Sequence, residues 1–290
     1  MQKKKVIGVG ELLWDVLPTG RRIGGAPVNF THYVNALGCE GYAVSAVGRD
    51  ASGDDLLAEF RRTGLSDSYL QRNDFPTGSV GVTLDDKGVP TYEIYEGVAW
   101  DNILPDERTL ALAREAEAVC WGSLAQRNEV SRRTILAIVD AAPATALKVF
   151  DINLRQHFYD KPLIESSLQR ASVLKLNDDE LEVLSPMFSL SGEEQTRLRT
   201  LIDRYSLHGI VYTKGATGSL ILGADGSRSW IDTPHVEVAD TVGAGDSFTA
   251  TFTAMLLQGH SLAEAHRRAV DVAAYVCTCA GAIAPLDKMR

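Results

Sequence analysis

The chain has 290 residues, 45% hydrophobic and 23% charged, the balance of an ordinary globular protein with room for one large core. Its formal charge of −9 and pI near 5.2 argue against nonspecific binding to nucleic acid or an anionic membrane, because clustered Lys and Arg recruit those partners. The basic start, Met1 to Lys5, lacks the apolar core of a signal peptide, and no later run approaches the roughly 20 apolar residues of a membrane helix, so a cytoplasmic protein is expected.

From the N-terminus, apolar runs of strand length occur at Val6 to Val9, Tyr42 to Val47, Ala118 to Trp121, Leu147 to Asp151, Val173 to Leu176 and Ile210 to Tyr212. Helical segments separate most of them. Runs buried on both faces that alternate with amphipathic helices indicate a parallel sheet covered on both sides. A layered α/β fold in one domain, 1–290, is expected, since no repeat, low-complexity tract or polar linker divides the chain. One stretch breaks the alternation. Ser79 to Leu84 and Pro90 to Glu96 are strand-like, and Asp85 to Gly88 between them carry turn chemistry, which predicts a β-hairpin. Residues 77–98 are expected to project as a small lid over one end of the sheet, where such flaps exclude water. A hairpin that merely extends the sheet edge is the alternative.

Chemistry concentrates at the ends of the predicted strands. Gly10-Glu11-Leu12-Leu13-Trp14-Asp15 closes the first strand with a carboxylate, and ligand crevices of open α/β sheets lie at carboxyl ends. Asp15 is placed to grip hydroxyls there, or else is an exposed loop residue. Gly24-Gly25-Ala26-Pro27-Val28-Asn29 then opens a helix. Paired glycines let ligand hydroxyls touch the main chain, and Asn29 offers both a donor and an acceptor. A plain helix start is the competing reading. Asp151-Ile152-Asn153-Leu154-Arg155 places a guanidinium where it can fork onto a phosphate or substrate oxygen, or serve a surface ion pair. Asn177-Asp178-Asp179-Glu180 offers hard oxygens for a hydrated Mg²⁺, or a helix cap with an acidic first turn. Thr213-Lys214-Gly215-Ala216-Thr217-Gly218 permits close backbone approach to a nucleotide, or a hairpin turn into Ser219 to Leu222.

The most informative segment is Asp240-Thr241-Val242-Gly243-Ala244-Gly245-Asp246-Ser247-Phe248, which runs into a helix through Thr249 to Leu257. Glycines at a helix start let the free N–H groups of the first turn approach an anion, with the positive end of the dipole behind them. Asp246 adds a carboxylate able to accept a hydroxyl proton. An isolated Gly-x-Gly-Asp would more often be a helix cap. The four cysteines form no CxxC pair, and the six histidines show no ligand spacing, so neither a zinc site nor histidine chemistry is expected.

The nine residues from Asp240 resemble the C-terminal signature of the PfkB, or ribokinase-like, carbohydrate kinases. The Gly24–Asn29 motif is similar to that family's sugar-binding motif, and the GELLWDVLP and DINLR runs to those of its fructokinases. The resemblance reaches from about Val6 to about Leu286. It implies a three-layer α/β/α fold with a mostly parallel sheet and a β-hairpin lid, and an ATP-dependent transfer of the γ-phosphate to a sugar hydroxyl. Fructose giving fructose 6-phosphate is the expected reaction; ribose, 2-keto-3-deoxygluconate or a nucleoside remain alternatives. In the roles so implied, Asp246 is the base, and Gly243, Ala244, Gly245 and Asp246 form the anion hole. Asp15, Gly24, Gly25, Asn29 and Arg155 bind substrate, and Asn177, Thr213, Lys214, Gly215 and Gly218 bind ATP. Glu180 meets Mg²⁺ through water. Cys277 to Ile283, with the Asp240 loop, matches a region that holds a monovalent cation, K⁺, in some relatives. The family pattern allows a homodimer. Only eight residues separate Asp15 from Gly24, where many relatives have a longer excursion, which implies a lid reduced to the single hairpin. Glu96 to Asp101 also departs from the polar stretch of fructokinases. A sugar-binding regulator without catalysis is the reading from another class, although a binder has no use for a base at 246. A doubly wound dehydrogenase is disfavoured because Gly8 and Gly10 make no GxGxxG.

Overall fold

A computed structural model describes residues 3–17, 20–84 and 90–289. Strand β1 (Lys5–Val9) leads to β2 (Leu13–Leu17), β3 (Gly20–Gly24), α1 (Ala26–Ala36), β4 (Glu40–Gly48), α2 (Ala51–Arg62), β5 (Leu70–Asn73), β6 (Ser79–Leu84) and β7 (Pro90–Ile94). The remainder runs α3 (Glu107–Arg114), β8 (Ala118–Trp121), α4 (Glu129–Ala141), β9 (Leu147–Asp151), α5 (Lys161–Leu168), β10 (Val173–Asn177), α6 (Asp178–Met187) and α7 (Glu194–Tyr205). It ends with β11 (Gly209–Thr213), β12 (Gly218–Gly223), β13 (Arg228–Asp232), α8 (Ala244–Leu257) and α9 (Leu262–Cys277).

Nine strands form one sheet in the order β13-β12-β11-β10-β9-β8-β1-β4-β5. Its strands from β11 through β5 are parallel to one another, and β12 and β13 return antiparallel at one edge. Alternation along each strand sorts side chains onto two faces. Val6, Cys120, Val149, Val173 and Val211 pack with Phe30 and Tyr33 of α1, Phe248 and Phe252 of α8 and Val270 of α9. Ile7, Trp121, Phe150, Leu174 and Tyr212 face α3 to α7 through Leu112, Ile135, Ile164, Leu181 and Leu198. The expected α/β/α layering follows from these two cores. His266 of α9 is buried between the Ser219 and Ser229 hydroxyls, 2.8 Å from each ring nitrogen, and pins β12 and β13 to the helix. Burial lowers its pKa to about 4, which keeps the ring neutral.

The lid corrects one expectation. The hairpin of β6 and β7 is present, its turn at 85–89 lying outside the described residues. It is only half of a second sheet, ordered β3-β2-β6-β7. The short segment between Asp15 and Gly24 supplies the other half as an antiparallel pair, joined to the hairpin by parallel pairing of Trp14 with Ser79 and Asp15 with Val80. The lid therefore draws on 13–24 as well as 77–98. The shortness of that segment suggests a lid of the single hairpin, yet eight intervening residues suffice for two five-residue strands. In the structure Arg21 lies over the Trp14 ring, 4.8 Å from its centroid, and bonds Asp55 at 2.9 Å, so a polar strand is held by its neighbours.

Candidate active site

Helices α1 and α8 begin without side-chain caps, unlike α2, α4, α5, α6 and α9, which Asp50, Asn128, Asp160, Asn177 and Ser261 cap. A bare helix start leaves N–H groups for a ligand. Both starts are set by glycine. Gly25 has φ 119°, and a Cβ there would meet the Glu11 carbonyl; Gly243 has φ 79°, and a Cβ there would meet the backbone of Ala282. Only glycine suits positions that combine such φ values with such close approach.

These two starts face each other through side chains. Asp246, in the first turn of α8, accepts a hydrogen bond of 2.8 Å at Oδ2 from Asn29 Nδ2 in α1. The predicted base and the predicted sugar-binding asparagine, 217 residues apart, are thus in direct contact. Asp246 is half-buried, and a small cavity beside it is walled by Pro27, Phe30, Cys120, Trp121 and Asp151. Burial first, then the charge of Asp151, raise its pKa to about 6, against the opposing pull of Asn29, Lys175 and Arg155.

Strand parity supplies what the motifs did not reveal. Two residues beyond Val149 and Val173, Asp151 and Lys175 point to the same α8 face. Lys175 Nζ lies 3.0 Å from Asp151 Oδ1, and Asp151 Oδ2 accepts from Thr249 Oγ1 of α8 at 2.9 Å. A Cβ at Gly245 would stand 3.2 Å from Lys175 Nζ, so the ammonium lies directly beneath the glycine loop. Burial disfavours its charge, but Asp151, Glu180 and Asp246 more than offset this and raise its pKa to about 12. Glu11 is the other missed group. It is 4% exposed and accepts from the Ala26 amide at 3.2 Å through Oε1.

Asp15 sits half-buried on β2 against Gly24, where any Cβ would collide with its Oδ2. Desolvation raises its pKa, while the charge of Arg155 opposes the rise and that of Asp240 adds to it. Arg155 itself is exposed, following Asn153 at φ 45°. Asn177 and Glu180 form a capping box, Glu180 N to Asn177 Oδ1 and Asn177 N to Glu180 Oε2 at 2.8 Å each, and Glu180 Oε1 accepts from Leu154 N. Both carboxylate oxygens are thus engaged, and no group of three or more metal-ligating side chains occurs among the described residues. Thr213 to Gly218 is the turn between β11 and β12. Its Lys214 forks onto Glu194 at 2.7 and 2.9 Å. The Asp240 carboxylate accepts from the Val242 and Gly281 amides at 3.0 Å each, with the guanidinium of Arg22 on β3 at 3.6 Å.

Three comparisons bear on this geometry. The profile of the pfkB family carbohydrate kinases matches residues 10–289. Probable fructokinase-3 of Arabidopsis thaliana is 28% identical over 313 residues, spanning 99% of this chain and 87% of the plant protein. The ATP-bound crystal structure of a fructokinase from Xylella fastidiosa superposes with a TM-score of 0.84 at 21% identity, covering 97% of this chain and 94% of that one. A fructokinase from Vibrio cholerae O395, solved with fructose, ADP and calcium, gives 0.81 at 21% identity, over 98% and 96%.

Proposed function

The chain belongs to the pfkB family of carbohydrate kinases, and on that footing we propose that it transfers the γ-phosphate of MgATP to a hydroxyl of D-fructose, giving fructose 6-phosphate. The observation that carries the reading is the contact between Asn29 of the sugar helix and Asp246 of the anion loop. A hydroxyl held by Asn29, Asp15 and the Gly24–Gly25 backbone lies within reach of the Asp246 carboxylate, which takes its proton as the oxygen attacks phosphorus. Amides of Gly243 to Asp246 and the Lys175 ammonium then offset charge growing on the phosphoryl oxygens, and Arg155 adds a forked donor from the cleft wall.

Nucleotide would lie beyond the loop, over Asn177 and the 213–218 turn. Since both oxygens of Glu180 already hold backbone amides, the fit is to a hydrated Mg²⁺ carried on the phosphates, with Glu180 reached through water. Bound there, the ion would neutralise phosphate charge. Fructose rather than a phosphorylated sugar suits the cleft because Asp15, a desolvated carboxylate, meets the acceptor. The fructose-bound kinase from Vibrio cholerae supports the same choice.

An ADP-release assay over fructose, ribose, 2-keto-3-deoxygluconate and a nucleoside tests the substrate. Fructose is expected to give the highest kcat/KM; turnover confined to the nucleoside would overturn the reading. Asp246→Asn is expected to lower kcat by about 10² to 10⁴ fold with fructose KM little changed.

A further inference from the structure

We infer that Glu11 is a positioning residue for the sugar site: its buried carboxylate, bound to the Ala26 amide, fixes the Gly24–Gly25 turn and thereby the angle at which α1 presents Asn29. This inference rests on the sugar-kinase reading above and gives a role to a residue that touches neither substrate nor phosphate in that scheme.

The geometry is interlocked. Glu11 lies in the link between β1 and β2, and its carbonyl stands where a Cβ of Gly25 would be. Its side chain turns back to accept from Ala26 N, the first residue of α1. Gly8 and Gly10 permit this close approach: a Cβ at Gly8 would meet the Pro27 carbonyl, and one at Gly10 the Pro27 ring. Helix α1 carries no side-chain cap of its own, so a residue 15 positions upstream supplies the acceptor that a capping Ser or Asp would otherwise provide. That substitution leaves the helix start open on its cleft side. A capping side chain at Gly25 is excluded in any case, since its Cβ would collide with the Glu11 carbonyl.

Charge is an unusual means of fastening a buried turn. Groups facing Glu11 are Asp246 of α8, Arg155 beyond β9 and the Cys120 thiol of β8. Burial is the main cause that raises its pKa to about 7; the amides of Glu11 and Ala26 and the guanidinium of Arg155 oppose the rise, and Asp246 adds to it. Protonation turns a charge-assisted bond into a neutral one of about half the strength. Sugar affinity should therefore weaken on the acid side of neutrality, while the chemical step, which depends on Asp246, falls at lower pH.

The experiment compares wild type, Glu11→Gln and Glu11→Ala, measuring KM for D-fructose and MgATP, kcat, and melting temperature from pH 6 to 8.5. Gln keeps the acceptor and loses the charge, as the protonated acid does, so its fructose KM should be flat with pH and match the wild-type value at pH 6, severalfold above wild type at pH 8. The wild-type value should rise severalfold toward pH 6. Ala should raise fructose KM about tenfold or more with MgATP KM unchanged. A Glu11→Ala enzyme that folds and keeps the wild-type fructose KM would overturn the inference. So would a parallel rise toward pH 6 in wild type and Glu11→Gln, which decides the matter even where the Ala variant does not fold. A wild type that phosphorylates no sugar sinks the sugar reading itself, and this assignment with it.

Discussion

Burial and Asp151 hold the Asp246 carboxyl near pKa 6, where a base is strong enough to take a hydroxyl proton and still ionised at neutral pH. The acid limb of kcat is therefore expected near pH 6 rather than 4, measured at saturating fructose and MgATP. The same shift has a cost in stability. The value rises from 3.8 to about 6 on folding, so the favourable contribution of the group is complete below 3.8 and is lost as pH climbs through 6. Asp246→Asn removes the burial of that charge. It should melt above wild type at pH 7.5, with the difference closing by pH 4; a variant that melts lower throughout would mean that the carboxylate is stabilised where it sits. The proposed base thus weakens the fold at the pH where it would work, as strained or desolvated active sites commonly do.

Elements decide which residues were legible. The Gly243–Asp246 and Gly24–Asn29 segments announced themselves because each packs its glycines and its polar group into one helix start. Lys175 and Asp151 did not, because their meeting depends on the register of β9 with β10, which pairs Val173 with Val149 and Lys175 with Asp151. Within its own strand Lys175 is merely a charge between two leucines. Capping explains another part of the record: Asn177 and Glu180 carry out the helix-start role that their spacing suggested, and α6 needs them for it. If Lys175 serves phosphoryl transfer from beneath the loop, Lys175→Met should lower kcat by about 10² to 10³ fold and leave fructose KM within about threefold. Stability should fall too, since Asp151 would remain buried without its cation. Lys175→Met combined with Asp151→Asn should recover the melting temperature and not the turnover; recovery of both would take the lysine out of the reaction.

At the scale of the molecule, a buried ion pair secures the segment that follows the lid. Arg127, just past β8, forks onto Asp101 at 2.7 and 2.9 Å, with side-chain exposures of 5% and 2%. Its guanidinium lies between the Trp100 and Phe158 rings, 4.0 and 4.5 Å from their centroids, and donates to the Tyr95 carbonyl at the root of β7. Arg127→Ala should cost about 3–5 kcal/mol by urea unfolding, and Arg127→Lys should restore little, because an ammonium has no planar face to lie between two rings and cannot reach Asp101 and the Tyr95 carbonyl from separate nitrogens. A loss below about 1 kcal/mol would mean that the clamp is decorative. This anchorage was invisible in the sequence for the same reason as the pairing of β2 with β6: both depend on partners tens of residues away. The parallel stitch between β2 and β6 has a mechanical corollary. A lone hairpin swings on one root, but two loops sewn edge to edge enter and leave the body at four places and behave as a panel. Within such a panel the carboxylate of Asp15 and the guanidinium of Arg22, which rests 3.6 Å from Asp240, keep a fixed spacing, so neither can shift without the other.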